Sequence, residues 1–110
     1  MAGHDERRRL PRRRTRASAA VVFGDPVQTL PATIRDRTDL GAKLLVEEAD
    51  RAPDLFEIIE LKTGVLLGAR VVWRAAPFIG VVFTGQHMLK GAADPRLIKL
   101  SQLWVRLSAK

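Results

Sequence analysis

The chain has 110 residues, room for one domain with one modest core, and 46% of them are apolar, which argues for a folded body over a disordered chain. Lys and Arg number 19 against 12 acids, for a net charge of +7, yet residues 1–16 alone hold seven arginines and two acids, so the basicity is local. Without cysteine there are no disulfides or thiolate metal sites, and no apolar run approaches the roughly 18 residues of a membrane-spanning helix.

Residues 1–16 read as a flexible polar arm, too charged to enter a core and broken by Pro11. Residues 17–23 follow Arg12-Arg13-Arg14, as the apolar part of a secretory leader would, but the stretch is short, carries Ser18 and is closed by the turn Gly24-Asp25-Pro26. Residues 18–23 are therefore read as a first strand, and a cytoplasmic protein is expected. Residues 32–36 predict a second strand, and residues 42–47 a third, with Leu44 and Val46 on one face and Lys43, Leu45 and Glu47 on a wetter one. The acidic stretch 47–54 predicts a loop, and Glu47 and Glu48 have no evident partner in it. Phe56, Ile58 and Leu61 mark a fourth strand, ended by a turn at Lys62-Thr63-Gly64.

Residues 65–74 give the clearest strand pattern, with Ala69, Val71 and Trp73 alternating against Arg70, Val72 and Arg74. That alternation predicts Trp73 in the core and Arg70 and Arg74 on a solvated face. A turn at Ala75-Ala76-Pro77 leads into a sixth strand over 78–84, with Ile79, Val81 and Phe83 on its inner face. Six short strands at this spacing predict a small, mainly all-β fold, an antiparallel barrel over 17–84. Residues 85–93 read as a linker that includes His87. In 94–110 the period changes: Asp94 is a good N-cap, Pro95 suits the first helical position, and Leu97, Leu100, Trp104 and Leu107 recur at three- and four-residue steps beside Leu103. This is a C-terminal amphipathic helix, expected to cap the end of the barrel.

Two elements carry chemistry. One is the arm sequence Arg8-Arg9-Leu10-Pro11-Arg12, with arginines four apart; Arg9 and Arg13 satisfy the same spacing. The other is Asp36-Arg37-Thr38-Asp39-Leu40-Gly41, between the second and third strands. An arm folded back over the barrel would bring guanidinium groups to a carboxylate, a hydroxyl and a glycine-exposed backbone.

The Arg-x-x-x-Arg arm, the Asp-x-Thr-x-x-Gly element followed by Ala42, then Ala69-Arg70-Val71-Val72-Trp73-Arg74 and Gly80-Val81-Val82-Phe83, resemble in order and spacing the PilZ domain, over residues 5–84. The resemblance implies a six-stranded barrel with a helix after it, and a receptor for the bacterial second messenger cyclic di-GMP that signals to a partner protein. Carried over residue by residue, it implies a ligand site of Arg8, Arg9, Arg12, Asp36, Thr38 and Gly41. Arginine's planar fork suits phosphate oxygens or guanine O6 and N7, and it stacks on purine faces. Asp36 can accept from guanine N1–H and N2–H, Thr38 offers a hydroxyl, and Gly41 would permit a sharp turn or close approach to the ligand. The family more often has Ser where Thr38 stands. It usually has an inward-packed apolar residue where Arg37 stands, and a charged side chain there has to reach solvent or join the site.

Two other readings use the same residues. One is a PilZ-like interaction module without a ligand. The other is a nonspecific nucleic-acid binder acting through the arginine arm, against which counts the lack of an aromatic residue in that arm. Nothing in the sequence supports catalysis or a cofactor. His4 and His87 lack neighbouring Cys or carboxylate ligand patterns, and Ser18, Ser101 and Ser108 lack a nucleophile setting.

Overall fold

The computed structural model describes residues 16–109. Its strands are β1 (Ala17–Phe23), β2 (Gln28–Arg35), β3 (Gly41–Val46), β4 (Leu55–Glu60), β5 (Val65–Ala75) and β6 (Phe78–Met88), followed by one helix, α1 (Pro95–Ser108). The strands close into an antiparallel barrel in the order β1-β2-β3-β6-β5-β4. The fold is thus the expected mainly-β barrel with a C-terminal helix.

Side-chain alternation builds two apolar clusters from the same strands. Ala19 and Val21 of β1, Ile34 of β2, Leu44 and Val46 of β3, Phe56 and Ile58 of β4, Leu67 and Ala69 of β5 and Ile79 and Val81 of β6 fill the barrel interior. Their sequence neighbours Ala20, Val22, Ile59 and Leu66 therefore face outward, where they form a second cluster with Leu89 and Leu100. Helix α1 lies on this outer wall through Leu97, Leu100, Leu103, Trp104 and Leu107. It does not cap the barrel end, because strands with apolar residues on both faces need cover outside as well as within. Its start is as expected: the Asp94 carboxylate accepts from the amides of Arg96 at 2.8 Å and Leu97 at 3.4 Å, with Pro95 at the first turn.

Several boundaries differ from expectation. Strand β2 begins at Gln28 and passes through Pro31, which stands one residue outside the β2–β3 ladder, where its lack of an N–H does no harm. Leu61 lies beyond β4 and joins the outer helix cluster. Strand β6 runs to Met88, so His87 is a strand residue paired with Leu66 and not part of a linker. Glu48 pairs with Arg51 at 2.6 Å across a short 3-10 turn over Ala49–Arg51, giving the acidic loop an internal tie.

An arginine lies at each end of the barrel. At one, Arg74 donates to the Ala52 carbonyl at 2.9 Å and to Asp54 Oδ1 at 2.8 Å, tying the β3–β4 loop across the opening. At the other, Arg37 reaches Glu60 Oε1 at 3.1 Å, with its guanidinium 5.6 Å from the centre of the Phe83 ring. Among the described residues, no helix is long and apolar enough to cross a membrane.

Candidate functional site

The β2–β3 connection turns through Asp36, whose φ is +47°. That left-handed conformation is strained for most residues by about 1–2 kcal/mol and is visited mainly by Gly, Asn and Asp. On leaving it, the chain sends neighbouring side chains to different places. The Asp36 carboxylate lies 3.1 Å from Lys43 Nζ, a side chain on the outward face of β3, while Arg37 enters the barrel mouth. The Arg37 side chain is 27% exposed, paired with Glu60 and laid over Phe83.

Thr38 organises the turn from within. Its hydroxyl accepts from the amides of Leu40 at 3.1 Å and Gly41 at 3.2 Å, and its own amide donates to the Gly41 carbonyl at 2.9 Å. A serine or threonine hydroxyl used this way satisfies backbone groups that a four-residue reversal would otherwise leave to water. The Thr38 side chain is therefore engaged with the turn first, and its expected exchange with a ligand is limited to the capacity that remains.

Gly41 has a structural role in the strand pairing. A Cβ built on it would overlap the carbonyl oxygen of Val81 on β6. The glycine allows β3 to approach the β6 backbone. Here the Gly41↔Val82 pair ends the β3–β6 ladder, and the Phe83 amide donates to the Leu40 carbonyl at 2.7 Å.

The outer face beyond this turn contains two residues that periodicity alone assigns elsewhere or passes over. Trp73 does not enter the core. Strand β5 carries a bulge between Val71 and Trp73, so Val71 opposes Val81 while Trp73 opposes Gly80. One extra residue reverses the alternation. Val71 still packs against the core, but Trp73 turns outward and is 45% exposed. Arg74, shifted with it, is exposed as expected, and its guanidinium binds Ala52 and Asp54 of the β3–β4 loop. Val71-Val72-Trp73 puts large apolar residues on both faces of β5, and here, away from the helix, Val72 and Trp73 are both left exposed. Lys43 is the second residue: it faces the same outer surface, pairs with Asp36 and lies 5.0 Å from the Phe78 ring centre.

Asp36, Thr38, Gly41, Lys43, Trp73 and Val82 together line a cavity of about 520 Å³ on the outer face of β3, β6 and β5. The size falls in the range of small-molecule sites, about 300–1,000 Å³. One wall supplies a carboxylate and an ammonium group, and the other a half-exposed indole. Of the expected site residues, the structure brings Asp36, Thr38 and Gly41 to this cavity, while Arg8, Arg9, Arg12 and the alternative Arg13 lie outside the described residues. Comparison of the chain with protein-family models, with curated proteins and with solved structures returns no match.

Proposed function

We propose that the chain is a PilZ-type receptor that binds cyclic di-GMP on the outer face of β3, β6 and β5 and passes the signal to a partner protein. The observation that carries this reading is the pairing of Asp36 and Lys43 with the Trp73 indole around one cavity. A ligand matched to that surface has an anionic part, a flat aromatic part and hydrogen-bond donors on one edge of the ring. A guanine nucleotide has all three. A carboxylate accepts from guanine N1–H and N2–H together, an ammonium suits phosphate oxygen, and an indole face stacks on a purine. The arginines at Arg8, Arg9 and Arg12 precede β1 in the sequence and, in this reading, contribute the remaining positive charge for two phosphates. Such a receptor works in the bacterial cytoplasm, is not an enzyme, and needs no cofactor beyond its ligand.

Isothermal titration with cyclic di-GMP tests the reading. Saturable binding is expected, weakened about tenfold or more by Arg8→Ala and by Asp36→Ala, as for loss of one charge-assisted hydrogen-bonding group. Absence of heat at micromolar protein overturns it. Stronger binding of Asp36→Ala to DNA or RNA, with steep salt dependence, would instead favour a polyanion-binding arm, since a carboxylate repels phosphate.

A further inference from the structure

We infer that Arg37 is a positioning residue, and that its ion pair with Glu60 across the barrel mouth holds the 36–41 turn in the shape that presents Asp36 to the outer face. Arg37 and Glu60 are 23 residues apart in the chain, yet Nη1 and Oε1 meet at 3.1 Å. The Glu60 side chain is only 14% exposed, at a depth where removing the counter-charge leaves a carboxylate poorly solvated. The pair is therefore held firmly at the Glu60 end, on the rigid β4 strand.

At the other end it acts on a partly solvent-facing turn held from within by Thr38. Asp36 occupies the left-handed region, Asp39 and Leu40 are solvent-facing, and the turn's internal hydrogen bonds are those of Thr38, two to its hydroxyl and one from its amide to the Gly41 carbonyl. Phe83 braces the turn twice: its amide holds the Leu40 carbonyl at 2.7 Å, and its ring lies under the Arg37 guanidinium. Arg37 enters the mouth between these supports, and its direction fixes where the preceding residue points. With Arg37 drawn inward, Asp36 faces Lys43 and the cavity. An apolar side chain could fill the same mouth, but it would lack a directional bond to β4 and would leave the turn free to rotate about Thr38.

The alternative is that Arg37 and Glu60 merely fill and neutralise the mouth. Replacing both by leucine (Arg37→Leu with Glu60→Leu) separates the two roles, since an apolar pair can substitute for a buried ion pair with little loss of stability. Hydrogen exchange of the Leu40 and Gly41 amides, compared with those of Ile58 and Leu67 in the barrel wall, reads the turn directly. We expect exchange at Leu40 and Gly41 to rise about tenfold or more in the double variant, with the barrel amides unchanged, as for loss of a charged hydrogen bond. Glu60→Gln, which keeps an acceptor but not the charge, should raise it by a smaller factor. Unchanged turn exchange in the double variant overturns the inference; should that variant not fold, unchanged exchange in Glu60→Gln does so.

The consequence for affinity rests on the proposed receptor function: cyclic di-GMP binding should weaken about tenfold in the double variant, in step with the exchange. The exchange comparison needs no ligand. A wild-type chain that fails to bind the dinucleotide would count against the receptor reading alone, and the turn amides would still decide the role of Arg37.

Discussion

The indole of Trp73 lies against Gly80 on the neighbouring strand, so closely that a Cβ built on that glycine would overlap Nε1 and Cε2 of the ring. The bulge turns Trp73 outward, and the missing side chain at residue 80 gives it a flat seat. Gly80→Ala should therefore push the ring off the sheet. Because Trp73 is half-exposed and can swing into solvent, the cost in stability should be about 1 kcal/mol, at the low end for overpacking. Acrylamide quenching of Trp73 fluorescence, in a Trp104→Phe background, should increase. If stacking on this ring supports a purine, affinity for cyclic di-GMP should fall about tenfold, within the 1–3 kcal/mol of a base–aromatic contact.

Gly41 and Gly85 offer a sharper contrast in stability. A Cβ on Gly41 meets backbone, the Val81 carbonyl, and nothing there can swing aside. Gly41→Ala must part β3 from β6 and should cost about 3 kcal/mol, the upper part of the usual range for overpacking. A Cβ on Gly85 has no atom within 4 Å, and this glycine has no positive φ. Gly85→Ala should be neutral or stabilising by about 0.5 kcal/mol through the lower entropy of the unfolded chain. Urea denaturation of the two variants checks the ordering, and equal midpoints would contradict the close strand approach.

These two glycines also show how far the sequence could be read. Alternation at Leu44 and Val46, the cap at Asp94 and the stripe from Leu97 to Leu107 are local patterns, and each appears in the structure with its expected face. The element from Asp36 to Gly41 was legible as a unit, but the work of its members was not. Gly41 depends on β6, 40 residues later, and Thr38 on amides whose positions the turn itself creates. Alternation along β5 places Trp73 inside, but one bulge residue reverses the strand's faces, and bulges are set by pairing, which a single strand does not contain. The destination of Arg37 was likewise hidden: its partner Glu60 lies across the closed barrel and reads in isolation as an ordinary end to β4.

Thr38 should tolerate Ser and not Val. Serine keeps the hydroxyl that accepts from Leu40 and Gly41, so Thr38→Ser should change stability by less than about 0.5 kcal/mol, as for a substitution that breaks no bond. Valine has nearly the same shape without the oxygen, and leaves two amides to find other partners. Thr38→Val should cost about 1–2 kcal/mol. The amide resonances of Leu40 and Gly41 should lose their exchange protection in the valine variant while the serine variant retains it.

The helix should prove to be a structural part of the barrel, not an appendage. Trp104 Nε1–H donates to the Leu61 carbonyl at 2.7 Å, and its ring covers Gly64, whose φ of +75° carries the β4–β5 turn. Phenylalanine would retain most of the packing but not the hydrogen bond, so Trp104→Phe should cost about 1 kcal/mol. Trp104→Ala removes both and should cost about 2–3 kcal/mol, less than for a fully buried aromatic because the ring is partly exposed. Deleting residues 93–110 goes further, because Ala20, Val22, Ile59 and Leu66 would then face water on the outer wall. That wall cannot be rescued by the interior, since the same strands already commit their alternate residues to it. The truncated chain should bind 8-anilinonaphthalene sulfonate and aggregate. A truncated barrel that stays monomeric, with wild-type urea stability, would show that the outer cluster contributes nothing.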